Sequence, residues 1–199
     1  MLTICVQAGG ASSRMGADKA LKPFLGHPLI QRVIERVSPI ADEIIVTTNR
    51  PDDYQFLNLR LLPDLKPGRG ALGGLYTAIA SALHPIVAVV ACDMPFASAA
   101  LLETMTRLLV QNEADVVIVK TEEGYEPLHA VYRRATCLPA ILSAIETDQW
   151  KVIAWFPQVK VHALTPEEAR QSNPDGLAFW NVNTPEEFDA AERLARRSD

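Results

Sequence analysis

The sequence predicts an α/β fold in which a mostly parallel sheet is covered by helices on both faces. Three observations carry this expectation. The runs Leu2–Ala8 and "PIVAVVACD" are near-continuously apolar and rich in β-branched residues, as strands buried on both sides must be. Between such runs, apolar residues recur at helical spacing, as at Leu29, Ile30, Val33, Ile34 and Val37. Strand and helix then alternate along the chain, which is the order that parallel strands need for their crossovers.

The elements follow in order. After the first strand, Pro28 opens the helix "PLIQRVIERV", its ring suiting the first turn. "DEIIVTTN" reads as a second strand and "LRLLPD" as a short third one. "LKPGRGALGG" reads as a loop, leading into a helix over Leu75–Leu83 that Pro85 ends. Ser98 is placed to cap the helix "AALLETMTRLLV". "ADVVIVK" is another strand, and "PLHAVYRR" a strand running into the helix "ATCLPAILSAIE". "LAFWNVN" reads as a late strand. The closing helix "TPEEFDAAERLARR" starts with Thr184 as N-cap, Pro185 in the first turn and Glu187 at the capping-box position. There is no internal repeat and no low-complexity linker, so residues 1–199 are expected to form one domain.

Composition narrows the function classes. A net charge of −5 argues against a general nucleic-acid binder, though not against a small anion held in a local basic pocket. No apolar run approaches the roughly 20 residues of a membrane span. The start "MLTICVQAGG" lacks the charged opening and long apolar stretch of a signal peptide, so a cytoplasmic location is expected. Cys5, Cys92 and Cys137 are odd in number and far apart, which fits reduced thiols rather than a zinc site or disulfide framework.

In parallel sheets, ligands gather beyond the carboxyl ends of the strands. Four stretches there carry chemistry. "VQAGGASSRMGADKALKPF" puts Gly9, Gly10 and Gly16, Ser12 and Ser13, and Arg14, Lys19 and Lys22 directly after the first strand. Glycines let backbone amides approach an anion, and the cations neutralise it. The stretch matches neither a Walker A loop nor a Gly-x-Gly-x-x-Gly dinucleotide motif, and a glycine turn with a solvated basic face is the competing reading. Asp93, in "VVACDMPF", ends a buried strand; it either ligates Mg²⁺ alongside substrate phosphates or caps the turn before Pro95. Cys92 beside it reads as a small buried hydrophobe rather than a nucleophile. "LPDLKPGRGALGGL" offers Asp64 and a glycine-rich approach to a flat base, or is a plain surface loop. In "FWNVNTPEE", Asn181 and Asn183 alternate and so are expected on one face of a strand end.

Together, "AGGASSRMGADKALKPF", "DLKPGRGALGGL", "ACDMPF", "EPLHAVYRR" and "FWNVNTPEEF" resemble, in order and over nearly the whole chain, the molybdenum cofactor guanylyltransferases. The first segment alone also resembles sugar-phosphate nucleotidyltransferases and cytidylyl relatives. The Asp18-Lys19 pair and the glycine-rich loop after Asp64 favour the guanylyl branch. The sequence departs from the pattern at Gln7, where leucine is usual, and at Ala71, where the loop often carries proline.

The resemblance implies a three-layer, Rossmann-like nucleotidyltransferase fold, with a nucleotide-binding part over about 1–97 and an acceptor-binding part over about 98–199. It implies transfer of GMP from GTP to the terminal phosphate of the molybdenum-bearing pterin, with release of pyrophosphate. Ala8, Gly9 and Gly10 would cradle the nucleotide, and Lys19 and Arg14 would neutralise its phosphates. Asn49 and Asp64 would contact the guanosine, whose N1–H and amine need acceptors. Asp93 would hold Mg²⁺. Asn181, Asn183, His129 and Arg133 would serve the acceptor, although His129 reads equally well as a packed strand residue. GTP and the molybdenum–pterin are the implied small-molecule partners, with molybdenum-insertion proteins and molybdoenzyme chaperones as protein partners. A phosphate monoester is already largely anionic near neutral pH, so no strong general base is sought; the task is to bring two anions together.

Overall fold

The computed structural model describes residues 1–8 and 18–198. Along the chain run β1 (Leu2–Gln7), the short hairpin β2 (Pro23–Phe24) and β3 (His27–Pro28), α1 (Leu29–Val37), β4 (Glu43–Thr47) and β5 (Arg60–Leu62). Then come α2 (Gly70–Ser81), β6 (Ile86–Ala91), α3 (Ala99–Gln111), β7 (Val116–Val119), β8 (His129–Arg133) and α4 (Arg134–Glu146). The chain finishes with β9 (Val161–Leu164), α5 (Pro166–Arg170) and α6 (Pro185–Ser198).

One seven-stranded sheet, in the order β5-β4-β1-β6-β8-β7-β9, runs through the molecule. All its pairings are parallel except those of β8, which is antiparallel to β6 and to β7. The exception has a simple cause. Only a short connection, pinched by a bridge between Lys120 and Tyr125, joins β7 to β8. A parallel return needs a crossover of a dozen or more residues, so the chain folds back as a hairpin.

Alternating strand residues feed two cores. Ile4, Val6, Val46, Ala88, Val90, Val117 and Val131 face α1 and α3, meeting Ile30, Val33, Leu101 and Met105. Cys5, Ile45, Val87, Val89, Val116, Ala130 and Tyr132 face α2 and α4, meeting Leu75, Ile79, Ile141 and Trp155. This period of two is why the strand sequences carry no polar face. A third, smaller core joins Phe24 and Phe96 to Phe188 and Ala191 of α6. It anchors α6 beside the turn after β6.

The topology also fixes where a ligand can bind. From β1 the chain crosses by α1 to β4, on one side of β1. From β5 it returns by α2 to β6, on the other side of β1 and over the opposite face. The carboxyl ends of the neighbouring parallel strands β1 and β6 therefore mark the edge at which sheets of this kind carry their ligand crevice.

The sequence expectations hold for most elements; besides the unassigned β2–β3 hairpin and α5, they differ at three places. The glycine-rich "GALGG" is the first turn and a half of α2, not loop. Two of its glycines are there for close packing: a Cβ on Gly74 would run into the Gln7 side chain, and one on Gly73 would sit 2.7 Å from the Lys66 carbonyl oxygen, whereas Gly70 takes the positive φ of +55° that opens the helix. "LAFWNVN" is not a strand. Leu177–Phe179 form a 3₁₀ turn, and the Val182 amide donates to the Asp93 carbonyl at 3.0 Å instead of joining the sheet. The edge strand β9 has no clear sequence signal, because "VHAL" is short and only half-buried. No helix among the described residues is long and apolar enough to cross a membrane.

Candidate active site

The crevice is built from strand ends. β1 ends at Gln7, and the Ala8 amide donates to the Thr47 carbonyl of β4 at 2.8 Å, which seats the start of the next loop against the end of β4. Gly9, Gly10 and Arg14 lie outside the described residues. The chain re-enters at Asp18, whose extended backbone and carboxylate cap the 3₁₀ turn Lys19–Leu21: Oδ1 accepts from the Ala20 amide at 3.1 Å.

Lys19 is the centre of the site. Its ammonium donates to Asp93 Oδ2 at 2.9 Å, to Asn183 Oδ1 at 3.0 Å and to the Val182 carbonyl at 3.2 Å. An ammonium has three N–H donors, so all are engaged. The Lys19 and Asp93 side chains are only 15% and 19% exposed. In that partly dry setting their attraction is stronger than that of a surface pair. Asp93 comes from the turn after β6, and Asn183 from the segment before α6. Three remote stretches thus converge on one cation.

Asn183 is held as firmly as it holds. Glu187 Oε2 accepts from the Asn183 amide at 2.6 Å and the Thr184 amide at 3.0 Å, while the Glu187 amide donates to Thr184 Oγ1 at 3.2 Å. The capping box read from the sequence therefore also places a site residue. Asn181 takes a different direction, its Nδ2 donating to the Phe179 carbonyl at 3.2 Å.

Beyond β4 and β5, Asn49 and Asp64 pair reciprocally. Asn49 Nδ2 donates to Asp64 Oδ2 at 2.9 Å, and the Asp64 amide donates to Asn49 Oδ1 at 3.0 Å. This makes a rigid, acceptor-bearing corner next to the end of β1. Gln7, the last residue of β1, is 4% exposed, its Nε2 donating to the Ala71 carbonyl at 3.3 Å. The two departures from the family pattern thus touch each other. Gln7 Oε1 has no hydrogen-bond partner among the described residues.

Cys92 precedes Asp93, its amide donating to the Gln7 carbonyl at 3.1 Å, and burial together with the nearby Asp93 and Asp18 carboxylates pushes its thiol well above the ordinary range. A thiol held protonated is no nucleophile.

Two residues expected on the acceptor side stand elsewhere. Arg133 is the last residue of antiparallel β8 and pairs with Ile86, the first residue of β6, so it leaves the sheet at the opposite edge. Its guanidinium donates to the Ala114 and Leu109 carbonyls, both at 3.1 Å. His129 is at the correct end of β8 but fully buried. Its Nε2 accepts from the Ser98 amide at 3.1 Å, its ring meets Phe179 edge-on, and burial pushes its pKa down to about 4. It is a neutral packing residue that acts on the cap of α3.

The structure also brings in residues that the sequence does not single out. Asp18 Oδ2 accepts from the Tyr54 hydroxyl at 2.7 Å and from the Arg50 guanidinium. In the sequence Asp18 stands out only as the partner of Lys19 in the Asp18-Lys19 pair; its capping role and its ties to Arg50 and Tyr54 come from the fold.

Residues 4–161 match the MobA-like NTP transferase domain. The molybdenum cofactor guanylyltransferase of Desulfosudis oleivorans is 34% identical over 192 residues, covering 96% of this chain and 94% of that protein. A probable molybdenum cofactor guanylyltransferase of Carboxydothermus hydrogenoformans is 34% identical, covering 94% and 93%. Among solved structures, molybdopterin-guanine dinucleotide biosynthesis protein A from Archaeoglobus fulgidus superposes with a TM-score of 0.85 at 25% identity, covering 98% of this chain and 99% of that one.

Proposed function

The chain belongs to the MobA-like NTP transferase family, and we propose that it joins GMP from GTP to the terminal phosphate of the molybdenum-bearing pterin, giving the guanine dinucleotide form of the cofactor. An oxygen of the acceptor phosphate attacks the α-phosphorus of GTP. The bond from that phosphorus to the bridging oxygen breaks, and pyrophosphate leaves with the electron pair.

The observation that carries this reading is the meeting of Lys19, Asp93 and Asn183 at the crevice, beside the Asn49–Asp64 corner. The corner presents acceptors suited to the donor edge of guanine, and Ala8 opens the loop whose Gly9 and Gly10 would frame the nucleotide. Lys19, with Arg14, offsets the phosphate charge, and acts most where charge builds in the transition state. Asn183, which holds Lys19, would serve the acceptor phosphate, and Asn181 would do so only by leaving the Phe179 carbonyl. His129 and Arg133 have no part in this scheme.

Asp93 is the residue that would hold Mg²⁺. Its carboxylate stands just past the end of β6 beside the Lys19 ammonium, one carboxylate where substrate phosphates would supply further oxygens. That donor set suits Mg²⁺, which completes its octahedron with phosphate oxygens and water. When bound, the ion supplies Lewis-acid polarisation of the phosphates.

A binding screen of GTP, CTP and ATP with Mg²⁺, followed by a pyrophosphate assay with the molybdenum–pterin substrate, tests the proposal. GTP should bind best, and pyrophosphate should appear only with the loaded pterin. Preference for CTP would make the protein a cytidylyl enzyme. Nucleotide binding with no pyrophosphate would make it a carrier rather than a catalyst.

A further inference from the structure

We propose that Tyr54, assisted by Arg50, is a positioning residue for Lys19: the two clamp the Asp18 carboxylate, and Asp18 sets the turn that carries the lysine. The inference rests on the reading of Lys19 as the phosphate-side cation.

A lysine has a long, flexible stem, and fixing it costs rotamer entropy. Lys19 is held at its tip by Asp93, Asn183 and Val182. Those contacts sit where a nucleotide would compete for the ammonium. A cation that must exchange partners without wandering needs its backbone fixed independently, and Asp18 does this. One carboxylate oxygen reads the amide of Ala20, inside the lysine's own turn; the other is tied to a separate stretch, the 3₁₀ helix Pro51–Leu57 and the Arg50 before it.

The two clamps are unequal. The Tyr54 ring is fully buried, so its hydroxyl has little freedom, and it donates to Asp18 at 2.7 Å. Phenylalanine would pack the same cavity without burying a hydroxyl, so the oxygen is there for the carboxylate. Arg50 is 57% exposed at its side chain and divides its charge between Asp18 and Asp53, the latter at 3.2 Å. Water and salt weaken that pair. The clamp also begins one residue after Asn49, so the nucleoside corner and the phosphate lysine share one support.

The test is a pair of variants in two backgrounds. Tyr54→Phe keeps the ring and removes only the hydroxyl. Expected is a fall in kcat for GTP-dependent pyrophosphate release of about tenfold, as for loss of a bond to a charged group, with KM for GTP within about twofold. In a Lys19→Ala background the same change should lower kcat no further, because its effect passes through the lysine. An equal fall in both backgrounds, or no fall in either, overturns the proposal. A crystal structure of Tyr54→Phe reads the point without turnover: Asp18 should let go of the Ala20 amide and the Lys19–Leu21 turn should shift, and a turn still in place refutes the clamp. Failure of wild-type protein to use GTP would instead count against the guanylyl reading alone.

Discussion

Lys19 and Arg133 are both cations beside strand ends, and both are enclosed by hydrogen-bond acceptors. The enclosures differ in what dominates them. Lys19 meets a carboxylate and an amide side chain from two remote segments, with one backbone carbonyl beside them. Arg133 donates only to backbone carbonyls, those of Leu109 in α3 and Ala114 after it, with the Asp115 carboxylate farther off at 3.8 Å, at the other edge of the sheet. Carbonyls of neighbouring backbone cannot leave to make way for phosphate, so Arg133 fastens the fold; side-chain acceptors can be exchanged. The direction of the strand decides which role a cation receives. β1 and β6 run parallel and deliver their succeeding loops to one edge, whereas β8 runs back and delivers Arg133 to the other.

The contrast can be broken most sharply at Asp93. Asp93→Asn should lower turnover about a thousandfold while leaving thermal unfolding nearly unchanged, since the amide oxygen still accepts from Lys19. Pyrophosphate release measured against Mg²⁺ concentration checks this, and retained activity without Mg²⁺ dependence would contradict the metal role. Next, Lys19→Ala should cost about a hundredfold in kcat. Steady-state kinetics like those of the native protein would mean that the lysine meets only solvent and protein.

His129 sharpens the other side of the comparison. Burial lowers its pKa to about 4, from 6.5. Between those values the unfolded chain binds a proton that the folded chain does not, so stability is complete above pH 6.5 and falls as the pH drops. The loss should reach on the order of 2 kcal/mol by pH 5. His129→Gln should flatten the dependence of Tm on pH in that window; an unchanged slope would assign the acid sensitivity elsewhere. The smallest effect belongs to Arg133→Ala. It should destabilise the fold by about 1–2 kcal/mol through stranded carbonyls and leave kcat and both KM values as they were. A raised KM for the acceptor would return Arg133 to the site and undo its contrast with Lys19.

Much of this arrangement is legible in the chain before folding. The apolar runs announce β1, β6 and β7, and "TPEE" announces the start of α6, because burial on both faces and helix capping are written in consecutive residues. Lys19, Asp93 and Asn183 are legible as chemistry at strand ends. Gly73 and Gly74 mislead: their lack of side chains signals a loop locally, and only the nearness of Gln7 and Lys66 makes them helical packing positions. "LAFWNVN" misleads for a related reason, since its alternation suits a strand but its backbone is satisfied by Asp93.

The sequence by itself determined the α/β class, the main elements and the residue types at the crevice, since these depend on near neighbours and on the period of apolar side chains. Tertiary structure alone decided that Lys19, Asp93 and Asn183 touch, that Tyr54 braces Asp18, and that His129 and Arg133 serve the fold. Those outcomes depend on strand order and direction, which set contacts between residues up to 164 positions apart and leave no local trace.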